Sequence, residues 1–237
     1  MELSIRMIPR REVLHFLGWR GAPVEDALLS QIEEMTNLAL EQIEPRVEMR
    51  RFALNEDKSL AGTRFSPQGA DVRALLVPCH EAVLLAATLG AQSERLLLRM
   101  QAKDSALALI MDAVLSAAIE AVCDAQEAAL RDSLAAQELY LTDRFSPGYG
   151  DMPLAQTREI CAVLSADKMI GLTVSQSGIM IPRKSVTAIM GVSRAPVSRR
   201  PSGCAACSMR GQCTLCKDQH IPPEAAARED AAERTDP

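Results

Sequence analysis

Residues 141–151 read LTDRFSPGYGD, and this stretch joins an apolar run of β type to the start of a helix. Pro147 fixes one backbone φ angle, while Gly148 and Gly150 allow conformations that other residues avoid. A loop of this kind brings backbone N–H and C=O groups close to a ligand, and the Arg144 guanidinium is suited to bind a carboxylate or phosphate through two hydrogen bonds. The same residues are also typical of a tight surface turn with a solvated arginine. The residues alone leave both interpretations open.

Outward from this loop, the sequence divides into helical and strand-like patterns. Helical periodicity and helix-start signals predict helices over residues 10–17, 24–43, 70–78, 92–101, 105–130 and 153–164. Alternating or short apolar runs predict strands over residues 47–54, 82–89, 139–144, 170–174, 179–181 and 185–192. The two kinds of element segregate instead of alternating strictly. We therefore predict an α+β fold in which helices pack on a central antiparallel sheet.

The composition changes after Val192, where Arg, Ser, Pro and Gly are followed by clustered cysteines and then by an Ala/Glu/Asp tail. We expect residues 1–192 to form the folded domain and residues 193–216 to form a linker with a cysteine-rich extension. Residues 217–237 are expected to be disordered, because this tail has too few apolar residues to bury a core.

The overall composition excludes several classes of protein. With 48% hydrophobic and 24% charged residues, the chain resembles an ordinary globular protein, and its net charge of −5 argues against nucleic-acid binding, which needs a basic face. The longest apolar run, residues 82–89, is too short to span a bilayer, and the first residues form no signal-peptide core. Apolar neighbours of Cys79, Cys123 and Cys161 indicate buried thiols. We therefore expect a cytoplasmic protein without a membrane partner.

Three separated stretches match one protein family in the same order. They are Ala118-Ile119-Glu120-Ala121, then Arg144-x-Ser146-x-Gly148-Tyr149, and then a segment with Gly171-Leu172-Thr173-Val174-Ser175, Met180-Ile181-Pro182 and Ser185-Val186. Together they resemble the S-adenosylmethionine-binding activation domain of cobalamin-dependent methionine synthase. The resemblance covers the chain from Ile8 to Ala195 and implies that residues 1–192 form an activation-domain-like domain that binds S-adenosylmethionine.

The resemblance also implies a set of binding residues. Arg144, Gly148 and Tyr149 match the family's Arg-x-x-x-Gly-Tyr core, which binds the methyl donor, and Ser146 stands at its small-residue position. Glu120 matches the glutamate that holds the ammonium group of the ligand. From the residues alone, Glu120 is a solvated carboxylate near the edge of the core face of a helix. The family's further acidic ligand, from its N-terminal part, has no assigned match in this sequence.

The N-terminal half, with His15-Phe16-Leu17-Gly18 and Ala86-Ala87-Thr88-Leu89-Gly90, resembles the short, free-standing members of the family. This implies a module that supports reductive methylation of the cobalamin of a partner methionine synthase or related corrinoid protein. The partner is expected to carry the cobalamin, because the chain has no Asp-x-His-x-x-Gly cobalt-ligand motif. A flavodoxin or ferredoxin would supply the electron. No catalytic residue is assigned, since the sulfonium of the donor is already activated and the protein has to bind and orient it.

The sharpest spacing in the sequence is Cys204-x-x-Cys207-x5-Cys213-x-x-Cys216. Paired Cys-x-x-Cys units are typical of thiolate metal sites, although the central gap is shorter than in zinc ribbons. We predict a metal site and leave zinc and an iron–sulfur cluster open, with disulfides or idle thiols as the alternative. Two other functions stay open with it. One is an iron–sulfur reductive activator of another corrinoid methyltransferase, and the other is a zinc-stapled adaptor without catalysis.

Overall fold

The fold is known from a computed structural model that describes residues 7–19 and 23–197. The predicted metal ligands Cys204, Cys207, Cys213 and Cys216 lie outside the described residues, as does the tail at 217–237. The last strand ends at Ser193, close to the point at which the composition of the sequence changes.

Helices occupy the segments in which periodicity predicts them. They are α1 (Arg10–Phe16), α2 (Asp26–Gln42), α3 (Ala70–Leu76), α4 (Ala91–Lys103), α5 (Ser105–Ala135), α6 (Gln156–Leu164) and α7 (Ala166–Met169). The helix predicted from residue 153 begins only at Gln156, after a turn, and α5 continues past its predicted end at residue 130. The short helix α7 has no counterpart among the predictions.

The strands are β1 (Arg46–Ala53), β2 (Glu81–Thr88), β3 (Tyr140–Leu141), β4 (Thr173–Val174), β5 (Met180–Ile181) and β6 (Ser185–Ser193). The three long strands match their predictions closely. The strands predicted at 139–144, 170–174 and 179–181 shrink to two residues each. β4 and β5 pair with each other in a separate small sheet.

The main sheet has the strand order β1-β2-β6-β3, and every pair in it is antiparallel. β2 and β6 form its centre, with Leu84 opposite Ile189. Seven consecutive residues of β2, from Ala82 to Thr88, are buried, which explains why this segment reads as a continuous apolar run and not as an alternation. The predicted α+β class with an antiparallel sheet is confirmed.

Helices cover both faces of the sheet and form two hydrophobic cores. Val83, Leu85 and Ala87 face the larger core, which contains buried side chains of α1, α2, α4 and α5. The alternate residues of β2 face the smaller core, which contains side chains of α3, α6 and α7. Because successive side chains of a strand point to opposite faces, one strand supplies both cores.

Helix α5 is the longest element and contacts α1, α2, α4 and the short strand β3. Its N-cap is Asp104, whose carboxylate accepts a hydrogen bond from the Ala106 N–H at 2.7 Å. By length and composition α5 could cross a membrane, but 61% of its most apolar window is buried inside the protein. This burial is typical of a core helix. The C-terminal half of α5 lies beside the loop at 141–151.

Candidate functional site

A β-bulge positions Arg144. Leu141 lies opposite Val192, and the Thr142 N–H donates to the Gly191 carbonyl at 2.9 Å, whereas Phe145 pairs with Ile189. Asp143 and Arg144 therefore both stand opposite the single residue Met190. An extra residue of this kind bends the strand and redirects its side chains, and bulges are common beside functional sites.

The turn after the bulge is closed by its own backbone. The Gly148 N–H donates to the Met152 carbonyl at 2.9 Å, and the Tyr149 N–H donates to the Ser146 carbonyl at 3.1 Å. Gly148 has a φ angle of +92°, which explains the glycine at this position. Ser146 is half-buried, while the Tyr149 side chain is 69% exposed. The turn thus presents an aromatic ring to solvent next to the Arg144 segment.

The far end of the loop is fixed to helix α3. The Asp151 carboxylate accepts hydrogen bonds from the N–H groups of Ala70 at 2.5 Å and Asp71 at 3.1 Å. These bonds stabilise the ionised form and hold the pKa of Asp151 below its ordinary value. Gly69 permits the close approach of Asp151, because a Cβ atom there would lie 2.6 Å from Oδ1 and 3.1 Å from the backbone carbonyl carbon of Asp151. The sequence indicated an acid after the turn but not its capping role.

Three carboxylates of α5 surround the Arg144 guanidinium. The Nη2 atom lies 2.5 Å from Oδ1 of Asp124 and 3.4 Å from Oε2 of Glu120, and the Nε atom lies 3.1 Å from Oε2 of Glu127. Residues four and seven positions apart share one face of a helix, so Glu120, Asp124 and Glu127 all face the bulge. We call Arg144 and these three acids the Arg144 cluster, and its formal net charge is −2.

The members of the Arg144 cluster differ in solvent exposure. The side chains of Arg144 and Glu127 are 17% and 18% exposed, against 44% for Glu120 and 70% for Asp124. The Nη1 atom of Arg144 is buried, and it has no hydrogen-bond partner in the part of the chain that the structure describes. Because Nη1 is buried, a ligand that arrives from solvent meets the Nη2 side of the guanidinium, which faces the two more exposed acids Asp124 and Glu120.

The protonation states of the cluster follow from burial and neighbouring charge. Burial disfavours the charged guanidinium, but the neighbouring carboxylates of Asp124, Glu120 and Glu127 favour it, and the pKa of Arg144 is raised. Burial raises the pKa of the Cys123 thiol to about 12, although Arg144 opposes that rise. Arg144 is therefore a fixed cation, and Cys123 stays a neutral thiol.

A second arginine supports the cluster from behind. Arg131 donates to the Leu141 carbonyl at 2.5 Å and to Oε1 of Glu127 at 2.6 Å, and its Nη2 lies 3.8 Å from Oδ1 of Asp143. Glu127 is thus held by two arginines at once. Arg131 thus connects α5 to the start of the bulged segment at Leu141 and Asp143, and it shares Glu127 with Arg144.

The structure brings some of the predicted site residues together. Glu120 and Arg144 form an ion pair, and Ser146, Gly148 and Tyr149 lie in the turn that follows Arg144. Asp124 and Glu127 are additional members that the sequence did not single out, although their spacing from Glu120 was the available signal. No group of three or more metal-ligating side chains occurs within residues 7–19 and 23–197.

The fold is shared with a solved structure, the crystal structure of the MetH reactivation domain bound to AdoHcy. The TM-score is 0.60, with 16% sequence identity, and the match covers 84% of this chain and 79% of that one. At this level of identity the likeness shows the fold. No protein-family model and no curated protein matches the sequence. The α+β architecture expected from the resemblance to the activation domain is confirmed.

Proposed function

We propose that this protein binds S-adenosylmethionine at the Arg144 cluster and takes part in the reactivation of a cobalamin-dependent methyltransferase. The observation that carries the proposal is the ion pair between Glu120 and Arg144 beside an exposed glycine turn. Its support from known structures is the shared fold with a reactivation domain that holds AdoHcy. In this proposal residues 1–192 form the binding domain of a cytoplasmic protein.

The charges of the ligand match those of the cluster. S-adenosylmethionine carries a carboxylate, an ammonium and a sulfonium, so its net charge is positive, whereas the Arg144 cluster is net negative. In the proposed complex the Arg144 guanidinium binds the carboxylate and Glu120 binds the ammonium. A lysine at position 144 would not reproduce the planar guanidinium, whose Nε atom contacts Glu127 while its Nη2 atom faces the exposed side of the cluster.

The turn supplies the remaining contacts of the proposed site. Backbone groups of Ser146 and Gly148 would contact the adenosine, and the exposed Tyr149 ring offers a flat apolar face to the nucleoside or to a corrin. The chain's own part is to bind and orient the donor, because the sulfonium needs no acid or base to release its methyl group. The methyl group would pass to reduced cobalt in cobalamin held by a partner, which leaves S-adenosylhomocysteine on this protein.

The partner in this proposal is a cobalamin-dependent methionine synthase or related corrinoid protein, with a flavodoxin or ferredoxin as electron donor. Cys204, Cys207, Cys213 and Cys216 would bind zinc or an iron–sulfur cluster in the extension at 193–216. An iron–sulfur cluster there could relay the low-potential electron that cobalt reduction needs. Metal analysis that returns only zinc would exclude this relay, because zinc is redox-silent.

Calorimetric titration with S-adenosylmethionine tests the binding proposal. We expect saturable binding that Arg144→Ala weakens at least tenfold, which corresponds to about 1.4 kcal/mol. Arg144→Lys should also weaken binding, because the ammonium keeps the charge but cannot contact Glu127 and the ligand carboxylate with separate, fixed nitrogens as the guanidinium does. Arg95→Ala is the matched control, since Arg95 is exposed on α4 and contacts Gln92 of the same helix. Absence of binding by the intact protein, or equal binding by all variants, would overturn the proposed site.

A further inference from the structure

We infer that Asp124 occupies the ligand-accessible nitrogen of Arg144 in the unliganded protein and has to release it before a carboxylate-bearing ligand binds. Asp124 is then an internal competitor that sets how strongly the site prefers ligands with a carboxylate. This inference rests on the proposed function, because it concerns the same guanidinium and the carboxylate of S-adenosylmethionine.

Access to the guanidinium is the first step of the argument. The Nε atom is engaged by Glu127 at 3.1 Å, and the Nη1 atom is buried. The Nη2 atom faces the two most exposed acids of the cluster, Asp124 and Glu120. A ligand approaching from solvent therefore reaches Nη2 first, and the 2.5 Å contact from Oδ1 of Asp124 already occupies that atom.

The acids of the cluster differ in their exposure and in their ion pairs, and these differences determine which carboxylate a ligand can displace from Arg144. Glu127 is 18% exposed and bridges Arg144 to Arg131, so its removal would disrupt two ion pairs. Asp124 is 70% exposed, and its contact with Nη2 is the interaction that the structure records for its side chain. An exposed carboxylate recovers its hydration when it rotates away, so its displacement costs little.

Charge supplies the reason for the competition. One guanidinium faces three carboxylates, and the carboxylate of a ligand would be the fourth. Four negative groups around one cation repel one another, so the incoming carboxylate and Asp124 cannot share Nη2 without a penalty. Rotation of Asp124 into solvent removes that penalty, and Glu120 stays beside Nη2, where the ammonium of the ligand is proposed to bind.

The experiment compares two ligands that differ only in the carboxylate. Decarboxylated S-adenosylmethionine keeps the ammonium and the sulfonium and has one more net positive charge, so a general loss of negative field weakens the binding of both ligands and weakens that of the decarboxylated ligand more. We expect Asp124→Asn to raise the affinity for S-adenosylmethionine itself by roughly two- to fivefold, the range that an exposed ion pair contributes, and to leave the affinity for the decarboxylated ligand unchanged or lower. The measured quantities are the two dissociation constants from calorimetric titration.

Asp132→Asn is the matched control, because Asp132 is exposed on α5 and lies outside the Arg144 cluster. This variant makes the same change in charge on the same helix, and it should not raise the affinity for S-adenosylmethionine. Glu127→Gln should lower the affinity for S-adenosylmethionine, because it removes the ion pair at Nε that orients the Arg144 guanidinium. Thermal unfolding of each variant verifies that the domain is folded.

The possible outcomes separate this inference from the proposed function. If the wild-type protein binds S-adenosylmethionine and Asp124→Asn leaves the affinity for S-adenosylmethionine unchanged or lowers it, Asp124 is not a competitor and the proposed function still stands. If neither the wild-type protein nor Asp124→Asn binds S-adenosylmethionine, both proposals are wrong. An affinity for S-adenosylmethionine that rises in Asp124→Asn and does not rise in Asp132→Asn supports the competition.

Discussion

Arg131 and Arg144 both contact Glu127, but the two arginines are satisfied in different ways. Arg131 donates to a backbone carbonyl, Leu141, and to Glu127, so its bonds define the local structure. Arg144 faces three carboxylates and still has a buried nitrogen without a partner in the described part of the chain. Arg131 therefore stabilises the fold. Arg144 has more negative neighbours than it can neutralise, and its Nη1 atom has no hydrogen-bond partner among the described residues.

The largest expected effect is on stability, and it should come from Arg131. Arg131→Ala removes a charged hydrogen bond to the Leu141 carbonyl and one of the two partners of Glu127, so we expect a loss of about 1.5–3 kcal/mol in the free energy of unfolding. Arg144→Ala should cost less, because Glu127 keeps Arg131 and the other two acids reach solvent. Urea unfolding of both variants measures the difference. A larger loss in the free energy of unfolding for Arg144→Ala than for Arg131→Ala would show that Arg144, and not Arg131, is the arginine that stabilises the fold.

The next effect concerns binding and separates Glu120 from Arg144. Glu120→Gln removes the charge that we assign to the ammonium, so both S-adenosylmethionine and its decarboxylated form should bind about tenfold more weakly. Arg144→Ala should weaken only the ligand that has a carboxylate. Calorimetric titration of both ligands tests this division, with Glu33→Gln on the exposed face of α2 as the control. If Glu120→Gln and Arg144→Ala weakened the binding of both ligands to the same extent, the assignment of the ammonium to Glu120 and of the carboxylate to Arg144 would be wrong.

The smallest effect lies at the far end of the loop and should depend on pH. Backbone hydrogen bonds lower the pKa of Asp151 in the folded protein, so its contribution to stability is present above the ordinary carboxyl pKa and is lost as the pH falls through the lowered value. Asp151→Asn should therefore speed amide exchange at Ala70 and Asp71 at neutral pH, and the difference from wild type should shrink in acid. Hydrogen exchange measured residue by residue gives the comparison. A difference that stays constant with pH would argue against ionic capping.

The sequence predicts the long elements well because their patterns are local. The apolar run of β2 and the periodicity of α5 identify both elements without knowledge of their partners. The Glu120–Arg144 pair was expected from the resemblance to a known family, not from the spacing of the two residues. Periodicity could show that Asp124 and Glu127 share a face with Glu120, but not what that face would meet.

Contacts between distant segments explain what the sequence does not reveal. Asp151 caps a helix whose first residues lie 81 and 80 positions earlier in the chain. The predicted strand at 139–144 loses its regular pairing because two residues oppose Met190, and only the register of β6 shows this. Such features depend on packing and not on local propensity.

The bulge that directs Arg144 also has a consequence for the solubility of the sheet. Unpaired strand edges attract strands of other chains and promote aggregation. At one edge of this sheet, β3 offers only two regularly paired residues before the bulge interrupts the ladder. At the other edge, β1 exposes the charged side chains of Arg46, Arg50 and Arg51. The extra residue opposite Met190 thus protects one edge from edge-to-edge association, much as the arginines protect the other.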